Sequence, residues 1–405
     1  MNTNLAINKA QRTFKEHFLL IKSLICILII ISIVQQFSFF QSYYSTIRNA
    51  IYIIGLLTII LSVSNFSKIK IDTFTRFFLA FFLSFQLLSL MGVLYGNSFN
   101  NIGTLYIPIS ISFFIYMISS IIYSKSNSKT YIILMVIYVV LMLMLTFDIF
   151  KTYFNGIFIS AQYLYDQKNS KGPMIDFSIL FTIFLILNLK NKILKFFLSS
   201  SIIFEFIVLN LMRSRADLLA LYIVLIIFVL KSIRKRLLLD LIIIITSILL
   251  FIIFLPNLVN SISSTLIEVF IKNYNVNNLN SLSAGRLYYY NKALKIFETN
   301  PIMGTLGLQN YYVDNAFLTL IANYGLIGMI LYVPFIGFLF YKIFANLLKA
   351  SIKELRFYIS LAWLVTLIIS LFEELPPFGP GTTYLIVWIL LPLITSKVEK
   401  KKVNI

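Results

Sequence analysis

The chain contains twelve continuous apolar runs, each bounded by Lys, Arg, Asn, Gly or Pro. A helix needs about 20 predominantly apolar residues to cross a bilayer, and it satisfies its own backbone hydrogen bonds where no water is present. The pattern predicts an all-α, polytopic membrane protein in which residues 1–405 form one transmembrane domain. The runs cover residues 18–34, 49–66, 77–95, 102–123, 131–150, 174–189, 193–211, 216–230, 237–255, 315–344, 357–372 and 382–395.

Composition and run length refine this prediction. Hydrophobic residues make up 59% of the chain and charged residues 12%, whereas soluble domains average about 45–50% and about 25%. The short run 382–395 would need tilt or local thinning of the bilayer to span it. The long run 315–344 exceeds one span, and we expect Gly325 and Gly328 to break it into a short entry helix and a span.

The basic residues indicate orientation. The chain has 34 Lys and Arg against 15 Asp and Glu, and 24 of the 34 fall on the side of the N-terminus when alternate loops are assigned to two sides. The positive-inside rule then predicts that both termini are cytoplasmic. Since the positive charge is a topology signal, we expect no nucleic-acid partner. The basic start of the first run resembles a signal peptide but lacks a small-residue cleavage site, so we expect a retained helix.

Cysteine and histidine are almost absent. The single Cys26 excludes a disulfide framework and a cysteine zinc site. The single His17 excludes a histidine-rich metal site and a Ser-His-Asp triad. We therefore expect neither a metal nor a cofactor.

One long polar segment, residues 256–314, is predicted to be a large external loop with short helices between spans nine and ten. Within it, residues 284–299 have the pattern of an amphipathic helix. The apolar face of this helix is expected to contain Leu287, Tyr290, Leu294 and Phe297.

Ten basic residues lie on the outer side, where insertion disfavours them. Apart from one at the head of a span, they are concentrated in the longer loops and in one tight turn between two apolar runs. They are Arg48, Lys151, Lys168, Lys171, Arg213, Arg215, Lys272, Arg286, Lys292 and Lys295.

Four sequence motifs lie on the outer side in a fixed order. They are SRADLLAL at 214–221, AGR ending at Arg286, NPIMG at 300–304, and VDNAFLTLIANYGLIG ending at Gly328. Together they resemble the O-antigen ligase and polymerase superfamily, which comprises the Wzy-type polymerases and their ligase relatives. The resemblance covers residues 214–328.

This resemblance implies a membrane glycosyltransferase of the bacterial cytoplasmic membrane, with an extracytoplasmic active site and no metal requirement. A polymerase would move a growing glycan from undecaprenyl pyrophosphate to the non-reducing end of a lipid-linked repeat unit, with inversion at the anomeric carbon. Its partners would be this lipid-linked oligosaccharide, membrane lipids and a chain-length regulator protein. A ligase of the same superfamily, which uses a different acceptor, is the alternative.

The arginines are the candidate ligands for pyrophosphate. A departing pyrophosphate develops negative charge that fixed cations must offset, and guanidinium binds phosphate oxygens in a bidentate fork. We expect Arg215 and Arg286 to hold the pyrophosphate, with Arg213 assisting and Lys171 at the rim. Arg213 has an alternative role, which is to extend to lipid headgroups.

Asp314 is the candidate general base for the attacking sugar hydroxyl. The related ligases commonly have His at this position, and the resemblance associates Asp with polymerases of Gram-positive capsules. Asp314 has three alternative roles: to hold the acceptor, to orient an arginine, or to cap the following helix. Its neighbour Asn315 is expected to contact the acceptor.

Further candidates surround these residues. Glu373 and Glu374 are expected to bind sugar hydroxyls or to supply another base, unless they form an ordinary turn. Tyr288 and Tyr289 are expected to stack on sugar rings, with an interfacial tyrosine belt as the alternative. Most acidic residues near predicted span ends are expected to be solvated. Glu205, in mid-span, is expected to pair with an arginine.

A transporter or flippase for lipid-linked oligosaccharide is the remaining alternative. It predicts paired charges near the midplane and symmetry between the two halves of the chain. The sequence shows neither feature.

Overall fold

The computed structural model is all-helical over the residues that it describes, with no strand among them. This agrees with the predicted fold class. The described residues are 2–66, 72–96, 99–125, 128–154, 161–212, 214–233, 286–306, 311, 313–373, 377–379 and 382–396. In chain order the helices are α1 (Asn2–Val34), α2 (Tyr44–Phe66), α3 (Thr73–Leu94), α4 (Phe99–Lys125), α5 (Ser128–Phe154), α6 (Ala161–Asn188), α7 (Lys192–Leu211), α8 (Arg215–Ile233), α9 (Arg286–Thr299), α10 (Ala316–Lys349), α11 (Leu355–Ile369), α12 (Leu385–Leu390) and α13 (Pro392–Thr395), with a 3₁₀ segment at Ser38–Tyr43.

These helices confirm a polytopic membrane protein. Eleven of the twelve apolar runs coincide with them, and run 237–255 lies outside the described residues, as does the first part of the predicted external loop. Among the described residues, seven helices are long and apolar enough to cross a membrane, and three shorter apolar helices accompany them at Phe18–Val34, Leu355–Ile369 and Leu385–Thr395. The count of twelve spans and the bounds of the external loop stay predictions.

Helix α6 lies at the centre of the described bundle. Of its most apolar stretch, 89% is buried, and it packs against α5, α7, α8 and α11. It begins at Ala161, well before the run at 174–189, and passes through Gly172 and Pro173. The sequence places a boundary at these two residues because proline removes a backbone donor and disfavours a helix interior. In the folded protein, packing on several sides overrides this local preference.

An aromatic core joins α3, α4, α10 and α12. The ring of Phe335 stacks on Phe78 at 4.8 Å and on Phe81 at 5.2 Å, and Phe78 stacks on Trp388 at 5.1 Å. The indole of Trp388 also donates a 2.8 Å hydrogen bond to the carbonyl of Pro377. In a bilayer the lipid tails are as apolar as these rings, so helix association depends on such close packing and buried hydrogen bonds.

Two contacts fix the directions of α8, α10 and α11. The ammonium of Lys231, near the end of α8, donates a 2.9 Å hydrogen bond to the carbonyl of Leu348, near the end of α10. At the opposite end, the amide of Ala316 donates a 2.9 Å bond to the carbonyl of Ser370, which follows α11. The starts of α8 and α10 and the end of α11 therefore lie at the same end of the bundle, which we call the Arg215 end.

Helix α10 is broken at Gly325, as the sequence predicted. Gly325 has φ 57° and ψ −152°, whereas Gly328 continues the helix. Residues 316–324 form a short entry helix, and the longer part that follows crosses the bundle.

Candidate functional site

The first residue of α9 is paired with the predicted base. The Nε of Arg286 donates a 2.9 Å hydrogen bond to Oδ2 of Asp314. Burial alone would lower the pKa of Arg286. The hydrogen bond to Asp314 and the negative charges of Asp314 and Glu373 outweigh the effect of burial, so the pKa of Arg286 is raised above its ordinary value. Tyr290, one turn further along α9, donates a 2.8 Å bond to the carbonyl of Asp314. Arg286 is therefore a permanent cation beside an anchored carboxylate.

The entry helix anchors the loop that carries Asp314. The hydroxyl of Thr319 accepts from the amide of Val313 at 3.0 Å and donates to its carbonyl at 2.9 Å. Similarly, Asn323 bonds both the carbonyl of Tyr311 at 2.8 Å and its amide at 3.1 Å. These side chains satisfy loop backbone groups that lack partners in regular structure, and they fix the position of Asp314.

Asn315, not Asp314, caps α10. Its side-chain oxygen accepts from the amide of Leu318 at 3.0 Å, and its amide group donates to the carbonyl of Leu371 at 3.0 Å. The capping alternative for Asp314 is therefore wrong, because the helix begins one residue later. Asn315 stabilises the fold through both polar atoms, and its contact with an acceptor stays a prediction.

The buried face of α9 agrees with the expected one only in part: Tyr290 and Phe297 are half-buried, as expected, and two leucines are not. Leu287 and Leu294 are exposed, with 36% and 42% of their surface accessible. The face that meets the protein contains Arg286, Tyr290 and the fully buried Ala293. The small Ala293 lets α9 approach the loop before α10 closely, so packing favoured the smallest residue over the most hydrophobic ones.

The turn after α9 interlocks with the break in α10. A helix break leaves amide and carbonyl groups without their partners four residues away, and here the turn supplies replacements. Three backbone bonds join the segments: Leu326 amide to Pro301 carbonyl at 2.8 Å, Ile327 amide to Ile302 carbonyl at 3.2 Å, and Thr305 amide to Ala322 carbonyl at 3.0 Å.

Two motif glycines allow this close contact. Gly304 and Gly325 have φ values of 60° and 57°. A Cβ atom would lie 2.5 Å from the Ala322 carbonyl oxygen at Gly304, and 2.6 Å from the Ile302 carbonyl oxygen at Gly325. The Asn-Pro-x-x-Gly and Gly-x-x-Gly motifs therefore lock the end of α9 to α10, which brings Arg286 to Asp314.

The second arginine segment packs on α6. Arg215 begins α8 and is partly exposed. The hydroxyl of Ser214 donates to the carboxylate of the buried Asp217. That carboxylate occupies the space beside Gly172, where a Cβ atom would overlap it. The start of α8 is thus held directly against α6.

Helix α6 also reaches the group formed by Arg286, Asp314 and Glu373, which we call the Arg286 cluster. Asn169 donates a 2.7 Å hydrogen bond to Oε2 of Glu373, and Oε1 of Glu373 lies 3.9 Å from Nη2 of Arg286. Asn169 and Gly172 are three residues apart and so share one face of the helix. This face contacts Asp217, two residues after Arg215, and reaches Arg286 only through Glu373.

Several acidic residues are more buried than expected. Asp176, Glu205 and Asp217 are at most 1% exposed, so the expectation of solvation was wrong for the two aspartates. Glu205 accepts a 2.6 Å hydrogen bond from the hydroxyl of Ser178 in place of the expected arginine. Over the described part of the chain, neither carboxylate oxygen of Asp176 has a hydrogen-bond partner.

Lys171 is buried, not at an open rim. Only 4% of its surface is accessible, and it interacts electrostatically with Asp148. Asp148 also accepts 2.7 Å hydrogen bonds from the amide and the hydroxyl of Ser38. The part of Lys171 in pyrophosphate binding stays a prediction.

Of the four remaining candidates, the structure describes two. Tyr288 and Tyr289 are exposed and contact each other edge to face at 5.4 Å. Sugar stacking by these rings stays a prediction. Arg213 and Glu374 lie outside the described residues.

Sequence reasoning missed Asn169 and Gly172. Both belong to the segment NSKGP, which reads as the polar boundary of a span. A polar break beside a deeply buried span was the available signal. Within the described ranges, no group of three or more His, Cys, Asp or Glu side chains is arranged to hold a metal ion.

Comparison with known proteins gives a family match over the region that contains these motifs. A search of curated proteins gave no match. Residues 200–333 match the family model described as O-antigen ligase, and this segment includes Arg215, Arg286 and Asp314. Over these residues the chain is therefore similar to the O-antigen ligases, which supports a relation to the O-antigen ligase and polymerase superfamily.

Proposed function

We propose that this protein is an oligosaccharide repeat-unit polymerase of the cytoplasmic membrane. It transfers a growing glycan from undecaprenyl pyrophosphate to the non-reducing end of the next lipid-linked repeat unit. The observation that carries the proposal is the pairing of Arg286 with Asp314 inside the segment that matches the O-antigen ligase family.

The chemistry of the site fits this reaction. An acceptor hydroxyl attacks the anomeric carbon, a new carbon–oxygen bond forms, and the bond to the pyrophosphate breaks with its electron pair leaving on the phosphate. Arg286 and Arg215 offset the charge that develops there. Asp314 takes the proton of the hydroxyl, since its side chain is 51% accessible and lies beside the cation that holds the leaving group.

A ligase is the second candidate because the matching family model carries that description. A ligase transfers the same donor glycan to a different acceptor, so the donor site described above serves either reaction. The aspartate at position 314, where the related ligases commonly have histidine, favours the polymerase.

The test uses lipid-linked repeat units extracted from a strain that lacks this protein. The purified protein is incubated with them in nanodiscs with a chelator present, with and without lipid A core, and products are resolved on a gel. A ladder without lipid A core supports the polymerase. A single product that requires the core supports the ligase, and unchanged substrate in both reactions contradicts the proposal.

A further inference from the structure

Asn169, a polar residue of α6, contacts Glu373 in the Arg286 cluster. Its side-chain amide donates a 2.7 Å hydrogen bond to Glu373, whose other oxygen lies 3.9 Å from the Arg286 guanidinium. Glu373 is only 12% accessible in its side chain, so its position is set by the protein and not by solvent. Arg286 is therefore held between two carboxylates, with Asp314 on Nε and Glu373 near Nη2.

The same turn of α6 touches the other arginine segment. Gly172 contacts the carboxylate of Asp217, two residues after Arg215. One buried turn of α6 therefore contacts Asp217, beside Arg215, and Glu373, beside Arg286.

We propose that Asn169 is a positioning residue of the donor site. By holding Glu373, it sets the rotation of the Arg286 guanidinium so that Arg286 and Arg215 face one pyrophosphate together. This inference rests on the proposed function, since it presupposes that the arginines bind the pyrophosphate of the donor.

The experiment measures binding and turnover in full-length protein in nanodiscs. Farnesyl pyrophosphate is the binding probe because it carries the pyrophosphate without the sugar, and turnover uses the extracted repeat units. We expect Asn169→Ala to weaken probe binding by about tenfold, the range for loss of a hydrogen bond to a charged group. Asn169→Asp should be worse than Asn169→Ala, because a second carboxylate would face Glu373.

Asn188→Ala is the matched control. Asn188 lies at the opposite end of the same helix, where its amide bonds the carbonyls of Phe184 at 2.9 Å and Lys353 at 3.3 Å. The Asn188→Ala substitution removes the same chemical group from α6, but far from the Arg215 end. Its affinity for the probe should therefore equal that of the unmodified protein. If Asn188→Ala weakens binding as much as Asn169→Ala does, the effect belongs to the helix and the proposal is overturned.

A double-variant cycle separates positioning from a merely structural role. If Asn169 acts through Glu373, then Asn169→Ala combined with Glu373→Gln should bind no worse than Glu373→Gln alone. Additive losses would overturn the proposal. If Asn169→Ala does not fold, Asn169→Ser, which keeps a shorter donor, replaces it in the same cycle.

Arg286→Ala distinguishes failure of this inference from failure of the proposed function. If Arg286→Ala weakens probe binding and Asn169→Ala does not, only the positioning role is wrong. If Arg286→Ala leaves both binding and turnover unchanged, the proposed function itself is wrong.

Discussion

The guanidinium of Arg286 and the carboxylate of Asp314 are joined by a 2.9 Å hydrogen bond between Nε and Oδ2. These two residues lie 28 positions apart in the chain, one at the start of α9 and the other in the loop before α10. The proposed clamp and the proposed base therefore share one ion pair. Under the proposed function, a pyrophosphate bound to Arg286 would compete with Asp314 for the same cation and would free the carboxylate to accept a proton.

Asp314→Asn should consequently bind the donor more tightly while turning over more slowly. The variant removes the competing charge from Arg286 and also removes the base, whose loss costs about 10²-fold or more in rate. Affinity for farnesyl pyrophosphate in nanodiscs and the rate of chain extension check the two effects separately. Glu298→Gln, an exposed carboxylate on α9, is the control, and weaker binding by Asp314→Asn would contradict the shared ion pair.

Arg286→Lys should abolish long products while leaving the protein folded. Lysine keeps the charge but cannot form the bidentate fork or keep the Nε bond to Asp314, so we expect a loss of about 10²-fold in the rate of extension. Product length on a gel is the measurement. Arg76→Lys in α3 is the matched control, and full-length polymer from Arg286→Lys would remove this residue from the proposed mechanism.

Gly325→Ala should destabilise the protein and reduce activity together. The backbone at Gly325 occupies a region that only glycine adopts readily, and strain there costs about 1–3 kcal/mol. In addition, a Cβ atom would lie 2.6 Å from the Ile302 carbonyl oxygen. Thermal unfolding in detergent measures the effect. Gly337→Ala in the same helix has open space around its Cβ atom and should not lower the unfolding temperature, because alanine is favoured over glycine inside a helix. Equal unfolding temperatures for both variants would refute the interlock.

Glu205→Gln should be tolerated, whereas Glu205→Ala should lower the unfolding temperature. The glutamine oxygen still accepts from Ser178, and no ionisable group is left at this buried position, where a charge is costly. Alanine removes the acceptor and leaves a cavity, which costs about 2 kcal/mol or more. Thermal unfolding of the two variants side by side is the check, and a glutamine variant that unfolds as early as the alanine variant would contradict this account.

Local sequence patterns predicted helices better than helix faces. The break at Gly325 was predictable because the run at 315–344 is too long for one span. The buried face of α9 was predictable only in part, because Leu287 and Leu294 fit the helical periodicity as well as the buried residues do. The small Ala293 occupies the contact, and only the shape of its neighbours determines that choice.

The sequence by itself determined the class of the fold, the order of the helices and the motif segments, because apolar runs and motif spacing are local properties of the chain. The tertiary structure decided which polar groups meet. Asp314 bonds Arg286, Asn315 caps α10, and Asn169 reaches Glu373 across 204 positions of sequence. Such pairings depend on how the helices pack against each other, and no local pattern records that arrangement.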